Sequence, residues 1–95
     1  MAFFNFNGDI DMYAVNEIVN VNSFYFRNQA NCLKSFPREI EFGNTRFTFN
    51  EGLQYLVSKG QRAIKLFDMS DGHTTYRLKF EDDTWTLLGT RAVTN

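Results

Sequence analysis

Polar and apolar residues alternate most regularly in the last third of the chain. From Thr74 to Glu81, Tyr76, Leu78 and Phe80 point one way, and Arg77, Lys79 and Glu81 point the other. This is the period-2 signature of a half-buried strand. A tight turn at Asp82-Asp83 leads into a following strand over 85–93. The turn sets Phe80 beside Trp85 and Leu78 beside Leu87 on one face. A slip of one residue separates these pairs, so the apolar pattern specifies the register. A strand over 62–69 precedes them, and the three form an antiparallel meander. Its turn admits two registers. A two-residue Asp71-Gly72 loop sets Ile64 and Leu66 against Lys79 and Arg77. A three-residue Ser70-Asp71-Gly72 loop sets Leu66 beside Tyr76 and Ile64 beside Leu78, giving one apolar face, and is preferred. Phe67 and Ala63 then occupy the opposite face, so this strand is expected to be covered on both sides. Trp85, Leu78, Leu87 and Tyr76 are expected among the most buried side chains.

The same period marks a hairpin over 38–49. Ile40 and Phe42 alternate with Glu39 and Glu41, and Phe47 and Phe49 with Arg46 and Thr48. A Gly43-Asn44 turn places Ile40 opposite Phe47 and Glu41 opposite Arg46. Between this hairpin and the meander, Leu53, Leu56 and Val57 make a one-sided stripe. Asn50 is suited to an N-cap and Gly60 to a left-handed C-terminus, which predicts a short helix over 50–60. Residues 10–21 carry two competing patterns. The spacing of Ile10, Tyr13, Ala14, Ile18 and Val21 suits an amphipathic helix, whereas Val15, Ile18, Val19 and Val21 are β-branched. The balance favours a helix over 10–19, then an extended 21–26 with a strand at 23–26. Residues 27–37 show no period and contain Pro37, which predicts a loop from which Cys32, Leu33 and Phe36 reach the core. The first nine residues suit either a docked edge strand or a partly ordered terminus.

These elements predict one α+β domain spanning residues 1–95. Its expected architecture is a curved antiparallel sheet of five or six strands with one or two short helices packed on one face.

Composition narrows the functional classes. Net charge is −1, so no global field draws the protein to nucleic acid or membranes. Cys32 is the only cysteine, so no intramolecular disulfide forms. The N-terminal Met1-Ala2-Phe3-Phe4-Asn5-Phe6 lacks the basic region of a signal peptide and the length of a membrane span. A cytoplasmic location, with no membrane partner, is the expectation. One His and one Cys do not make a structural zinc site, and Glu81-Asp82-Asp83 lacks the spacing of a calcium loop, so neither metal nor cofactor is expected. Cys32 and His73 lack a third orienting group in the sequence. Glu39 and Glu41 are placed on a wet face, where a carboxylate keeps its ordinary pKa. The glycines are scattered as turn and cap residues are, without a phosphate-binding pattern. No enzyme is expected.

Two features rise above this background. The first is aromatic content of 17%, including 11 Phe. Phe3, Phe4, Phe6, Phe24, Tyr25 and Phe26, with Phe67 and Trp85, are too many large rings for the interior of so small a domain. Rings left on a surface favour a protein interface. The expectation is a non-enzymatic intracellular module that self-associates, as a homodimer for example, or docks on a partner protein, with Phe3, Phe4, Phe6, Phe24, Tyr25 and Phe26 as the interface. The second feature is charge asymmetry: residues 27–65 carry a net +4, against −3 before and −2 after them. Arg27, Lys34, Arg38, Lys59, Arg62 and Lys65 are the contacts for the alternative function, single-stranded nucleic-acid binding with bases stacked on Phe24, Tyr25 or Phe36.

Overall fold

Every described element is a strand. The computed structural model describes residues 12–93, and among them eight strands form two antiparallel sheets with no helix. In chain order they are β1 (Tyr13–Ile18), β2 (Asn20–Gln29), β3 (Cys32–Phe42), β4 (Thr45–Thr48), β5 (Glu51–Lys59), β6 (Arg62–Ser70), β7 (Thr74–Glu81) and β8 (Thr84–Ala92). One sheet has five strands in the order β1-β8-β7-β6-β5, and the other has three in the order β2-β3-β4. The α+β expectation is therefore corrected to all-β, and with no helix there is none long and apolar enough to cross a membrane among the described residues.

The two sheets are joined by two extended runs that switch partners midway. Residues 13–18 pair with β8, and the Val19 amide still donates to the Trp85 carbonyl at 3.1 Å. From Asn20 the same run pairs with β3. Residues 45–48 pair with β3. The Phe49 amide then donates to Arg38 of that sheet at 2.8 Å, while the next amide, Asn50, donates to Ser70 of the other at 2.9 Å. Val19 and Phe49 are both buried at these corners. The up-and-down meander thereby returns on itself around one core of Val19, Phe36, Ile40, Phe49, Phe67, Met69, Tyr76, Leu78 and Leu87. Strands that change sheets at bends and bulges are the usual way of making such corners. Ring contacts knit the core, including Phe36–Phe67 at 6.2 Å, Phe49–Tyr76 at 5.1 Å and Phe67–Trp85 at 5.1 Å between centroids.

Both clear hairpin registers are observed. Ile40 pairs with Phe47 and Glu41 with Arg46, although the Arg46 guanidinium approaches Glu39 instead, at 3.6 Å. Phe80 pairs with Trp85 and Leu78 with Leu87. Leu78, Leu87 and Tyr76 are buried as expected, while Trp85 is only half-buried, at the rim of the core.

The helix over 50–60 is instead β5, paired along its whole length with β6. Leu53, Tyr55 and Val57 also alternate, and an antiparallel partner pairs the inward-facing backbone groups of a segment too short to be stable as a lone helix. Gly60 opens the β5–β6 turn at φ 65° rather than ending a helix. Gly52 lies beside Met69, and a Cβ there would overlap the Met69 thioether, which fills that part of the core. The helix over 10–19 is corrected to β1. Residues 10 and 11 lie outside the described residues. The apparent helical spacing reflects a bulge between Ala14 and Glu17, with Asn16 at φ 55°, which breaks the period of two. The 21–26 strand is present and extends to Gln29.

The 27–37 loop is also corrected. It is the outer half of the β2–β3 hairpin, turned by Ala30 and Asn31 at φ 53° and 62°. Pro37 is accommodated within β3 because the register shifts next to it, Phe24 pairing with Pro37 and Ser23 with Glu39. Phe36 does reach the core, whereas Cys32 and Leu33 are exposed. At the β6–β7 turn neither anticipated register occurs. Ser70 pairs with Thr75, Met69 with Tyr76 and Phe67 with Leu78, leaving a four-residue loop. The Asp71 carboxylate holds that loop by accepting from the His73 and Thr74 amides, each at 2.8 Å. Phe67 and Met69 thus face the core, with Ile64 and Leu66 on the outer face. All four are buried, so β6 is covered on both sides as the sequence suggests.

Candidate functional site

The aromatic candidates separate sharply once the hairpins are in place. Phe3, Phe4 and Phe6 lie outside the described residues. Phe67 belongs to the core. Trp85 bridges the core and the β2–β3 hairpin, 6.0 Å from the Phe24 ring and 4.7 Å from Phe80. Tyr25 is half-buried and stacked on Phe36 at 5.3 Å and 15° between ring planes, while the Arg38 guanidinium covers it at 4.8 Å. Both faces of Tyr25 are thus in use. Burial is the first cause that raises the Tyr25 hydroxyl above its ordinary pKa, against the nearby Arg27 and Arg38 charges.

Phe24 and Phe26 remain as exposed rings, 46% and 65% accessible, and Leu33 joins them at 68%. Cross-strand pairing puts Phe26 with Ser35, Asn28 with Leu33, and Phe24 with Pro37. Paired and alternate residues share a face, so Phe24, Phe26 and Leu33 lie on the same side of the hairpin. The intervening residues Tyr25, Arg27, Lys34 and Phe36 lie on the other. The face with the exposed apolar side chains therefore contains no charged residue from 24 to 28 or from 33 to 37. The sequence reading included Phe24 and Phe26 but missed Leu33. Its pairing with Asn28 depends on recognising Ala30-Asn31 as a turn.

The six candidate cations do not form one row. Arg27 and Lys34 pair across β2–β3, with Arg38 on the same hairpin. Lys59 and Arg62 pair across the β5–β6 turn, and Lys65 pairs with Phe80 in the other sheet. Arg62 is already engaged, donating to Asp82 and lying 3.0 Å from Glu81. Arg27 sits 5.9 Å over the Phe36 ring.

A polar cluster that sequence reasoning missed lies on the outer face of the five-stranded sheet. Asp68 and Arg77 are cross-strand partners. Arg77 is only 2% accessible, and its Nε and Nη2 donate to the two Asp68 oxygens at 2.7 Å each. The Tyr55 hydroxyl donates to the same carboxylate. Burial and then this hydrogen bond push Tyr55 up to about 12. The bidentate bond to Asp68 raises Arg77 further. In the sequence Arg77 is one polar residue of an alternating strand, and nothing there distinguishes a buried ion pair from a solvated one.

A cavity of about 420 Å³ opens beside this cluster, with Asp68, Ser70, Thr75 and Arg91 among its walls. A smaller one, about 260 Å³, lies between Leu56, Phe80 and the acidic β7–β8 turn. Cys32 is exposed in the β2–β3 hairpin, His73 is exposed in the β6–β7 loop, and no hydrogen bond links them. No group of three or more His, Cys, Asp or Glu suited to a metal occurs among the described residues. No protein-family model, curated protein or solved structure matches the chain.

Proposed function

We propose that this domain is a small interaction module without catalytic machinery of its own, and that it pairs with a second copy through the apolar face of the β2–β3 hairpin. The carrying observation is the shared exposure of Phe24, Phe26 and Leu33 on a face without charge, while Arg27 and Lys34 occupy the reverse side. A two-fold contact brings the same patch of each copy together. An uncharged patch meets itself without like-charge repulsion, and the net charge of −1 opposes association little. β2 is also an edge of its sheet, with backbone groups open to pairing on the side away from β3.

Light scattering tests the pairing. The mass should rise above the 11.1 kDa monomer across micromolar concentrations. Salt should change it little, because apolar burial is not screened. Phe26→Ser combined with Leu33→Ser alters only exposed positions and should leave a folded monomer. A wild type that stays monomeric to millimolar concentration would overturn the reading, and capture of a different protein through the same two residues would reassign the patch to that partner.

A further inference from the structure

The geometry points to a small-molecule site in the 420 Å³ cavity on the outer face of the five-stranded sheet, one that takes a small organic carboxylate carrying an amine or hydroxyl group. The cavity is within the size range of ligand pockets. Its main wall is a row that crosses four strands in register. Glu51 pairs with Ser70, Ser70 with Thr75, and Thr75 with Arg91. Partners across a sheet share a face, so this row presents a carboxylate at one end, a guanidinium at the other, and two hydroxyls between them. Strands lie about 4.8 Å apart, so the two ends are separated by about 14 Å of backbone, room for a short chain between their side chains.

The charges of this row are available. Glu51, Arg91 and the neighbouring Arg27 form no ion pair among the described residues. Asp68, at the edge of the cavity, is already compensated by the bidentate bond from Arg77. Two arginines against Glu51 therefore leave about one positive charge, which suits a monoanion better than a dianion. Arg91 offers the planar fork that matches a carboxylate. Ser70 accepts from the Gly72 amide at 3.0 Å, so its hydroxyl proton remains to be donated to a ligand. Glu51 has only acceptors and requires a donor on the ligand, which is why the proposed ligand carries an amine or hydroxyl.

Titration of the full chain followed by amide NMR tests this, with 4-hydroxybutyrate, 4-aminobutyrate, butyrate and inorganic phosphate as probes. The first two should give saturable shifts at the Gly52, Ser70 and Thr75 amides, and butyrate should bind more weakly. Arg91→Gln should weaken the hydroxy and amino acids by about tenfold or more, the usual size for a lost charged hydrogen bond. Glu51→Gln should weaken the amine more than the alcohol. Neither position is on the β2–β3 hairpin, and a dispersed amide spectrum with an unchanged urea midpoint serves as the check that each variant is intact. Shifts that never saturate, binding indifferent to Arg91→Gln, or equal binding of butyrate would overturn the site. Preference for inorganic phosphate would overturn the carboxylate assignment.

Discussion

The Asp68 carboxylate accepts three side-chain hydrogen bonds, two from Arg77 and one from Tyr55. A buried ion pair is retained at a desolvation cost, and its geometry must be good for that cost to be offset. Here both guanidinium bonds are 2.7 Å and the second carboxylate oxygen is shared with a phenol. Burial first, and this hydrogen bond second, push the Tyr55 phenol up to about 12 from an ordinary 10. The sign of the linkage follows from that direction. Because folding raises this pKa, the stabilisation is complete below pH 10, where both states are neutral. It is lost as pH rises from about 10 through about 12, where the unfolded phenol ionises first. Tyr25 and Tyr76 are raised chiefly by burial and add to the same loss. Urea midpoints measured from pH 8 to 12 should fall steeply in that window, and Tyr55→Phe should flatten the fall without abolishing it. An unchanged profile in the variant would mean that the Tyr55 hydroxyl is solvated in the native state.

The β2–β3 hairpin carries the proposed interface, and its turn is strained. Ala30 sits at φ 53°, a left-handed conformation that costs an L-residue about 1–2 kcal/mol. Glycine removes this strain but loses more chain entropy on folding, about 0.4–1 kcal/mol. Ala30→Gly should therefore raise unfolding free energy by roughly 0.5–1 kcal/mol, read as a higher urea midpoint with unchanged slope. A lower midpoint would show that the turn is not left-handed. The same residue explains much of what the sequence conceals. Gly43-Asn44 and Asp82-Asp83 are turn pairs whose chemistry advertises positive φ, and both of those hairpins are legible. Ala30-Asn31 does not advertise it, and Pro37 argues for a loop, so an entire hairpin and its exposed Leu33 stay hidden. The bulge in β1 converts alternation into apparent helical spacing, and β5 alternates and stripes at once. Both segments therefore read as helices until their strand partners are known. For the site, the chain shows which rings and charges exist. Their grouping is set by registers such as the four-residue β6–β7 loop, which depends on the Asp71 side chain rather than on apolar pattern.

At the scale of the whole molecule, closure of the meander decides which charges act together. The six candidate cations of the basic middle fall on two hairpins, one in each sheet. Arg27, Lys34 and Arg38 belong to the first, and Lys59, Arg62 and Lys65 to the second. Acids of the β7–β8 end already engage Arg62, and a cation neutralised by a neighbour releases fewer counterions when it meets a phosphate. Tyr25 and Phe36 are stacked on each other, which removes two of the three rings that a nucleobase would need. A single-stranded nucleic acid lying along the β2–β3 hairpin would meet at most its three cations. With about 0.7 released ions per phosphate, log K against log salt should then slope no more steeply than about −2. Fluorescence titration with oligo(dT) and oligo(U), from low to physiological salt, measures this directly. Weak binding that vanishes near physiological salt fits two separate hairpins. Binding that persists there with a slope near −4, about six contacts at 0.7 each, would require all six cations on one track and would place nucleic-acid recognition ahead of self-association.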